Sequence, residues 1–297
     1  MSQDEPIARS ILHRTTLMRE VFWKARGDAQ LATTEYLKAL RIAQLMGEAP
    51  AGPFAEAARR VDQVNLEKWV AEARAAGCSN LDRWNEMRMG RGDEFATADR
   101  IVGELIVPVR ITLQDGIIRD RRVRIHGNLG FISPAGNASL RLVLRDKPKV
   151  KDFLWAFLSA LVLIAAEEMS AQRFHAIVAG AGKNKSWNQI RSWTCPGVRR
   201  AREYLSDLTT DLLFGKNHYF LPIEAVEDIH KEIIRGDGVD LIDIVNETRD
   251  NDFAKCSSDY GPIRDARRFT PPTGDALREI MRRRFELIGA VFDRPKD

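Results

Sequence analysis

Cysteine is scarce in this sequence: Cys78, Cys195 and Cys256 are the only three in 297 residues. They lie far apart and form no CxxC pair, which disfavours both a disulfide framework and a cysteine-based zinc site. So few cysteines suit a reducing compartment, and we expect a cytoplasmic protein. The N-terminal residues MSQDEPIARS are polar and acidic, unlike a signal peptide.

Long apolar runs are scarce as well. The most apolar one is FLWAFLSALVLIAA, from Phe153 to Ala166, with Asp152 before it and Glu167 after it. As a helix it would be about 21 Å long, shorter than the ~30 Å hydrocarbon core of a bilayer. The run therefore predicts a helix buried on all sides, and no membrane partner.

The motifs of common catalytic sites are missing. The sequence contains no HExxH and no GxSxG, and its five histidines show no spacing typical of metal ligands. The segment from Gly180 to Lys183 (GAGK) is similar to part of a phosphate-binding loop. However, Ile177 replaces the first glycine of that loop, and Asn184 replaces the serine or threonine that binds magnesium. We therefore expect no cofactor and no metal site.

Apolar periodicity divides the chain into a helical lead-in segment, residues 1–100, and an α/β (or α+β) part, residues 101–297. Together they are expected to form one structural unit. Residues 78–100 are predicted to be helix and loop. The predicted strands form an antiparallel meander of about four strands, within 105–113, 117–132 and 140–144, and one later strand at 173–180. The remaining predicted helices lie near 11–22, 30–46, 54–76, 198–214, 222–235, 238–250 and 274–292.

The meander followed by a buried helix is also the core of the PD-(D/E)XK nuclease fold, a mostly antiparallel sheet flanked by helices. There, two carboxylates hold magnesium, and an acid and a lysine two residues apart share one face of a strand. No Asp or Glu occurs between 121 and 145, and Asn128 and Leu129 stand where the first acid is expected. Pro148, two residues after Asp146, replaces the lysine. The sequence therefore predicts a nuclease-like core without catalytic acids and without intrinsic enzymatic activity.

Charge is segregated along the chain. Residues 119–202 contain sixteen Lys and Arg but five Asp and Glu, whereas residues 223–259 contain four basic and eleven acidic residues. Basic side chains displace the counterions of a nucleic acid, and interleaved aromatic rings stack on its bases. Alternatively, the basic segment is a solvated face or a docking surface for an acidic partner. Trp187 and Trp193, in turn, could be core residues, as tryptophans commonly are. The predicted DNA-binding residues are Arg121, Arg122, Arg124, Lys147, Lys149, Lys183, Lys185, Trp187, Trp193, Arg199 and Arg200.

Six segments share a dispersed pattern: DEPI (4–7), MGEAPAGPFAEAA (46–58), VRIHGNLGFISPAGNASLRLVL (123–144), WAFLSALVL (155–163), YLSDLTTDLLFGKNHYFLPIEA (204–225) and FELIGAVFDRP (285–295). In this order they resemble the C-terminal portion of RecC, the gamma subunit of exodeoxyribonuclease V. Three features depart from the family pattern: no Asp-x-Leu-x-x-Tyr follows DEPI, Phe214 replaces a tyrosine, and Ile223-Glu224 replaces a second Leu-Pro.

The resemblance implies a nuclease-like domain that lacks the metal-binding acids, helps to split an incoming duplex and guides its single strands. It implies a non-catalytic DNA-binding and scaffolding subunit, or a fragment of one, in an ATP-dependent exodeoxyribonuclease V complex of double-strand break repair and recombination. The implied partners are DNA, as a duplex end or single strands, and helicase and nuclease subunits resembling RecB and RecD. The Asp-Gly hairpin from Gln114 to Arg122 is a candidate strand-separating element.

Two other hypotheses remain open at the level of sequence. One is an active magnesium-dependent nuclease whose acids come from unusual positions, such as Glu104, Asp146 and Asp152. The other is a protein-docking module without DNA affinity of its own.

Overall fold

The computed structural model describes residues 11–50, 52–91, 98–112 and 118–214, together with 283 and 286–289. The chain divides into two compact units that are interleaved along the sequence, and neither coincides with residues 1–100 or 101–297. Unit 1 comprises Met1–Glu86, Gly130–Asp152 and His175–Ile190, and unit 2 comprises Met87–Leu129, Phe153–Phe174 and Arg191–Asp297.

Three helices open the described part of the chain: α1 (Ile11–Lys24), α2 (Ala29–Leu45) and α3 (Gly52–Ala75). All three confirm the helices expected from the apolar periodicity. Each helix turns an apolar stripe inward, which contributes side chains such as Tyr36 and Trp69 to the core of unit 1. The same core includes Leu140 and Leu142 of the sheet, among other apolar residues of unit 1.

Within the described residues, eight strands form two sheets. The larger sheet has the strand order β2-β1-β5-β6-β7-β8, and the smaller one pairs β3 with β4. The strands are β1 (Asn85–Met89), β2 (Arg100–Val102), β3 (Leu105–Thr112), β4 (Ile118–Ile125), β5 (Gly127–Ile132), β6 (Ala138–Val143), β7 (Arg173–Ala181) and β8 (Ser186–Thr194). Helices and sheets together confirm the mixed α/β class.

Strand β6 pairs with neighbours of both orientations. It runs antiparallel to β5, where Phe131 lies opposite Leu140. It runs parallel to β7, from the pair Ala138 and His175 to the pair Val143 and Gly180. Parallel neighbours need a crossover connection, and the chain between β6 and β7 contains helix α4 (Lys151–Ala165).

The expected meander differs from the structure at one point. The segment 117–132, predicted as part of one meander of about four strands, is broken at Gly127, whose φ is +148°. Residues other than glycine rarely adopt such a backbone angle. Strand β4 therefore ends before Gly127 and pairs with β3 in the small sheet, whereas β5 begins there and joins the large one.

Three strands were not predicted: β1, β2 and β8. Residues 78–100, expected as helix and loop, contain a short 3-10 turn (Leu81–Arg83) and then strands β1 and β2. Strand β8 was missed entirely. The predicted helices at 222–235 and 238–250, and most of the one at 274–292, fall outside the described residues.

Helix α4 confirms the helix predicted from the most apolar run. Its expected burial on all sides is wrong, because Trp155 and Leu158 are 44% and 40% exposed. Phe153, Phe157 and Leu161 are fully buried, so one side of the helix is packed and another faces out. In the part of the chain that the structure describes, no helix has both the length and the apolarity needed to cross a bilayer.

Helix α5 (Val198–Phe214) belongs to unit 2, whose core is rich in aromatic rings. Phe174 stacks on Trp193 with their ring centroids 5.5 Å apart, and Phe157 meets Trp193 edge-on at 5.8 Å. Tyr204 of α5 is buried against Phe157 at 6.4 Å. Aromatic pairs in these arrangements stabilise a core beyond the area they bury.

Candidate nucleic-acid interface

The β3–β4 hairpin carries the first group of predicted DNA-binding residues, Arg121, Arg122 and Arg124. On β3, Val107 and Val109 are buried while Ile106 is exposed, as expected when one face of a strand is covered. Helix α5 contributes to this packing, and Ser206 Oγ donates a hydrogen bond to the Pro108 carbonyl.

Strand β4 is much more exposed than β3. Residues 118–122 and Arg124 are all exposed, although their side chains alternate between the two faces of the hairpin. The register places Arg122 opposite Pro108 and Arg121 opposite Val109. We call the four exposed arginines of this strand the arginine strand: Arg119, Arg121, Arg122 and Arg124.

Two carboxylates lie next to the arginine strand. Asp120 Oδ1 is 3.2 Å from Nε of Arg110 on the neighbouring strand. Glu104 lies 3.7 Å from Arg124 and 3.8 Å from Arg91. Such exposed ion pairs contribute little, about 0–1 kcal/mol each, so the strand keeps its positive character.

The second group, Lys147, Lys149, Lys183 and Lys185, belongs to unit 1. All four side chains are exposed, two on the connection between β6 and α4 and two on the β7–β8 turn. The connection and the turn are in contact, because Asp146 Oδ1 accepts the Asn184 backbone N–H at 3.0 Å. The structure thus brings together lysines that are more than thirty residues apart in sequence.

The two predicted tryptophans have different environments. Trp193 is 3% exposed and packed against Phe174, so its ring is not available to stack on a base. That expectation is wrong, and Trp193 is a core residue of unit 2. Trp187 is half-buried in unit 1 and donates its indole N–H to the Arg145 carbonyl at 2.8 Å. Its ring also lies directly over Gly180, where no side chain separates the two.

Arg199 and Arg200 lie in the first turn of α5, in unit 2. Arg199 is exposed and lies 3.8 Å from Glu203 one turn later. Arg200 is 3.9 Å from Glu203 and also forms an ion pair with Glu286. Because Arg200 already pairs with two carboxylates, Arg199 and Arg200 together are less suited to phosphate binding than the arginine strand.

Sequence reasoning missed one basic cluster, which belongs to unit 1. Arg19 of α1 donates from Nε and Nη2 to the Leu142 carbonyl at 2.9 and 2.6 Å. Arg145 Nη2 lies 3.2 Å from Oδ1 of Asp152, which is completely buried in the first turn of α4. The charge of Arg141, on β6, shifts the pKa of Arg19, and the charges of Asp152 and Arg145 shift the pKa of Arg141. We call Arg19, Arg141 and Arg145 the arginine cluster.

Burial perturbs the arginine cluster. Burial first, and the positive charges of Arg141 and Arg145 after it, lower the pKa of Arg19 to about 10, against the opposing carboxylate of Asp152. The pKa of Arg141 is also lowered, first by burial and then by Arg145, again against Asp152. These directions show that Asp152 does not offset the loss of solvent around the guanidinium groups. The only sequence signal was Arg141 itself, a charged residue within the apolar strand 140–144.

The carboxylates suggested for an active nuclease have other partners. Glu104 lies near two arginines, Asp146 accepts a backbone N–H, and Asp152 pairs with Arg145 and accepts the Lys149 backbone N–H at 2.9 Å. Across the described residues, no three His, Cys, Asp or Glu side chains come together as a metal site.

Comparison with known proteins does not add a family to this geometry: a scan of protein-family models and a search of curated proteins both found no match for the chain.

Proposed function

We propose that the chain is a non-catalytic DNA-binding and scaffolding subunit, or part of one, of a helicase–nuclease complex resembling exodeoxyribonuclease V. It acts in the cytoplasm on duplex ends and single strands during double-strand break repair and recombination, beside helicase and nuclease subunits resembling RecB and RecD. The resemblance of the six segments to RecC supports the assignment to such a complex. The exposed basic residues support the DNA contact.

The observation that carries the DNA contact is the arginine strand. Two exposed arginines lie on each face of the strand, Arg119 with Arg121 and Arg122 with Arg124, and the backbone positions of each pair are about 6.7 Å apart. A nucleic-acid backbone is a regular row of negative charges, and each phosphate that such an arginine neutralises releases counterions. Arginine also binds phosphate through two parallel hydrogen bonds, which lysine does not.

The order of strands and helix supports a PD-(D/E)XK-like core that holds DNA rather than cutting it. An antiparallel pair, β5 and β6, is followed by the crossover helix α4 and then by β7, which is parallel to β6. Leu129, at the position expected for the first catalytic acid, is a buried leucine in this structure. An apolar side chain there cannot bind a cation, which favours a scaffold over an enzyme.

The test is binding of the whole chain to a labelled forked duplex, measured by fluorescence anisotropy at 50 and 200 mM salt. We expect a fall in affinity of a factor of ten or more, because the binding constant falls with a slope of about −0.7 to −0.9 per neutralised phosphate. The double variant Arg122→Gln/Arg124→Gln should weaken binding and reduce the salt slope by about two.

A matched control removes two exposed basic residues elsewhere: Lys38→Gln/Arg60→Gln, which lie on α2 and α3 and pair with Glu35 and Glu56. This control should bind like the unaltered chain, since only the position of the lost charge differs. Absent binding at 50 mM salt, or affinity that does not change at 200 mM, would overturn DNA binding. Cleavage of the fork when magnesium is added would instead establish the active nuclease.

A docking module is the second candidate, and the exposed apolar residues of α2 and α3 favour it. Ile42, Leu45 and Phe54 are 59%, 73% and 59% exposed. Large apolar side chains on a surface often mark a protein contact. If no fork binding occurs and purified helicase subunits still bind the chain, the docking module is the better description.

A further inference from the structure

The β3–β4 hairpin is a two-stranded ribbon, and only part of it is covered. Val107 and Val109 of β3 are buried, whereas every residue from Ile118 to Arg122 of β4 is exposed. Because these five positions alternate between the two faces, solvent reaches both faces of β4 at this end of the ribbon. Among the described residues, β4 pairs with no strand other than β3, so β4 lies at the rim of the small sheet.

The cross-strand register assigns the residues of the arginine strand to opposite faces. Arg122 lies opposite the exposed Pro108, so it belongs to the open face of the ribbon together with Arg124 two positions later. Arg119 and Arg121 belong to the other face, and both are exposed. The ribbon therefore carries a pair of exposed guanidinium groups on each side of its plane.

Two carboxylates accompany the open face. Asp120 is 3.2 Å from Arg110, and Glu104 is 3.7 Å from Arg124. Exposed ion pairs of this kind are weak, so a phosphate can take the place of either carboxylate. The arginines of both faces thus stay suited to the binding of a polyanion.

The thickness of such a ribbon matches one groove of B-form DNA. Sheets pack about 10 Å apart face to face, so a single layer with its side chains is about 10 Å thick. The major groove is ~12 Å wide and admits a two-stranded ribbon, whereas the minor groove is only ~6 Å wide. The walls of the major groove are the two phosphate backbones, so arginines on opposite faces of an inserted ribbon meet opposite DNA strands.

We infer that the β3–β4 ribbon stands in the major groove of a duplex and that its two arginine pairs bind the phosphates of the two strands. The inference rests on the proposed function, because it names the form of DNA that the arginine strand contacts: intact B-form duplex rather than a single strand. A strand-separating hairpin would instead contact the fork junction. A ribbon that lies flat on the DNA would use one pair of arginines only.

The first arm of the test compares labelled nucleic acids of one length with the whole chain at one salt concentration: a fork, a fully paired duplex, a single strand and an RNA duplex. The fork and the paired duplex should bind alike, about tenfold tighter than the other two. The RNA duplex is the matched control for charge, because it has the same phosphates but a major groove too narrow for side chains to enter. A DNA duplex with a glucosyl group on C5 of its cytosines, which faces the major groove, should also bind about tenfold more weakly.

The second arm tests the two faces separately. Arg119→Gln/Arg121→Gln removes the pair on one face, and Arg122→Gln/Arg124→Gln removes the pair on the other. Each double variant should weaken duplex binding about tenfold and reduce the salt slope by about two. All four side chains are exposed, so both variants should keep the circular dichroism spectrum of the unaltered chain. The double variant of α2 and α3 described above is the control, and it should bind the duplex like the unaltered chain.

The outcomes separate this inference from the proposed function. Binding of the fork without the paired duplex overturns the inference in favour of a strand-separating hairpin, and a loss confined to one double variant overturns it in favour of a flat ribbon. Equal binding of all the nucleic acids, with no effect of the glucosyl group, overturns it and leaves the proposed DNA contact standing. Binding of none of them rejects the proposed DNA contact and the inference with it.

Discussion

At the scale of single residues, the helical part of unit 1 depends on a buried carboxylate. Asp62 of α3 is 1% exposed, accepts the Tyr36 hydroxyl at 2.6 Å and forms an ion pair with Arg14. It links all three N-terminal helices, because Arg14 lies on α1 and Tyr36 on α2. A buried charge of this kind is tolerated only with its partners present.

Replacing Asp62 by alanine should lower the free energy of unfolding by about 3–5 kcal/mol, because Arg14 and the Tyr36 hydroxyl both lose their partner. Urea denaturation followed by circular dichroism measures the change. Tyr36→Phe, which removes one hydrogen bond and keeps the ion pair, should lower it by about 1–2 kcal/mol. Equal midpoints for Asp62→Ala and the unaltered chain would show that this triad does not hold the helices.

At the scale of elements, the β7–β8 hairpin depends on the close approach of a ring to the backbone. A Cβ atom added at Gly180 would lie inside the indole of Trp187. The indole N–H bonds to the Arg145 carbonyl, so the ring cannot move away freely.

We expect Gly180→Ala to destabilise the chain by about 1–3 kcal/mol, the usual cost of overpacking. The double variant Gly180→Ala/Trp187→Leu should lose less than the sum of the two single changes, because the smaller side chain relieves the clash. Gly103→Ala is the control, since a Cβ at Gly103 meets nothing within 4 Å. Strict additivity in the denaturation midpoints would mean that the ring moves aside without cost.

The elements differ in how far sequence predicts them. Helix α2 was predicted, and in the structure Tyr36, Leu40 and Ala43, which recur at helical spacing, are all buried. Strand β8 was missed because one of its inward positions is Arg191, which is 5% exposed and lies 4.4 Å above the Phe153 ring. A buried arginine breaks the alternation of polar and apolar residues on which strand prediction relies.

At the scale of the whole molecule, alkaline stability follows from a buried thiol. Burial raises the pKa of Cys78 from 9.0 to about 12. The unfolded chain therefore loses this proton near pH 9, whereas the folded chain keeps it until about pH 12. The stabilising effect of the neutral thiol is fully present below pH 9 and is lost progressively as the pH rises through this window.

Comparison with Cys78→Ala isolates this contribution from the other groups that titrate at high pH. Between pH 8 and pH 10, the unaltered chain should lose about 1 kcal/mol more of its free energy of unfolding than the variant does. Denaturation with guanidinium at several pH values measures both curves. Parallel curves across the window would show that Cys78 ionises in the folded chain as easily as in the unfolded one.

The candidate site, too, was predictable only in part at this scale. Sequence identified the exposed Arg122 and Lys183, because charge segregation is visible in composition. It placed Trp193 in the site wrongly, since composition does not tell a core ring from an exposed one. It did not find Arg19, which only folding brings beside a cluster more than a hundred residues later.

Asp152 joins the segment after β6 to the start of α4. Asp152 stabilises the fold by pairing with Arg145 and by accepting the Lys149 N–H at the start of α4. Loss of this one side chain would therefore release the Arg145 guanidinium and the backbone that leads into α4 together, so the segment that carries Lys147 and Lys149 would lose its anchor to the helix.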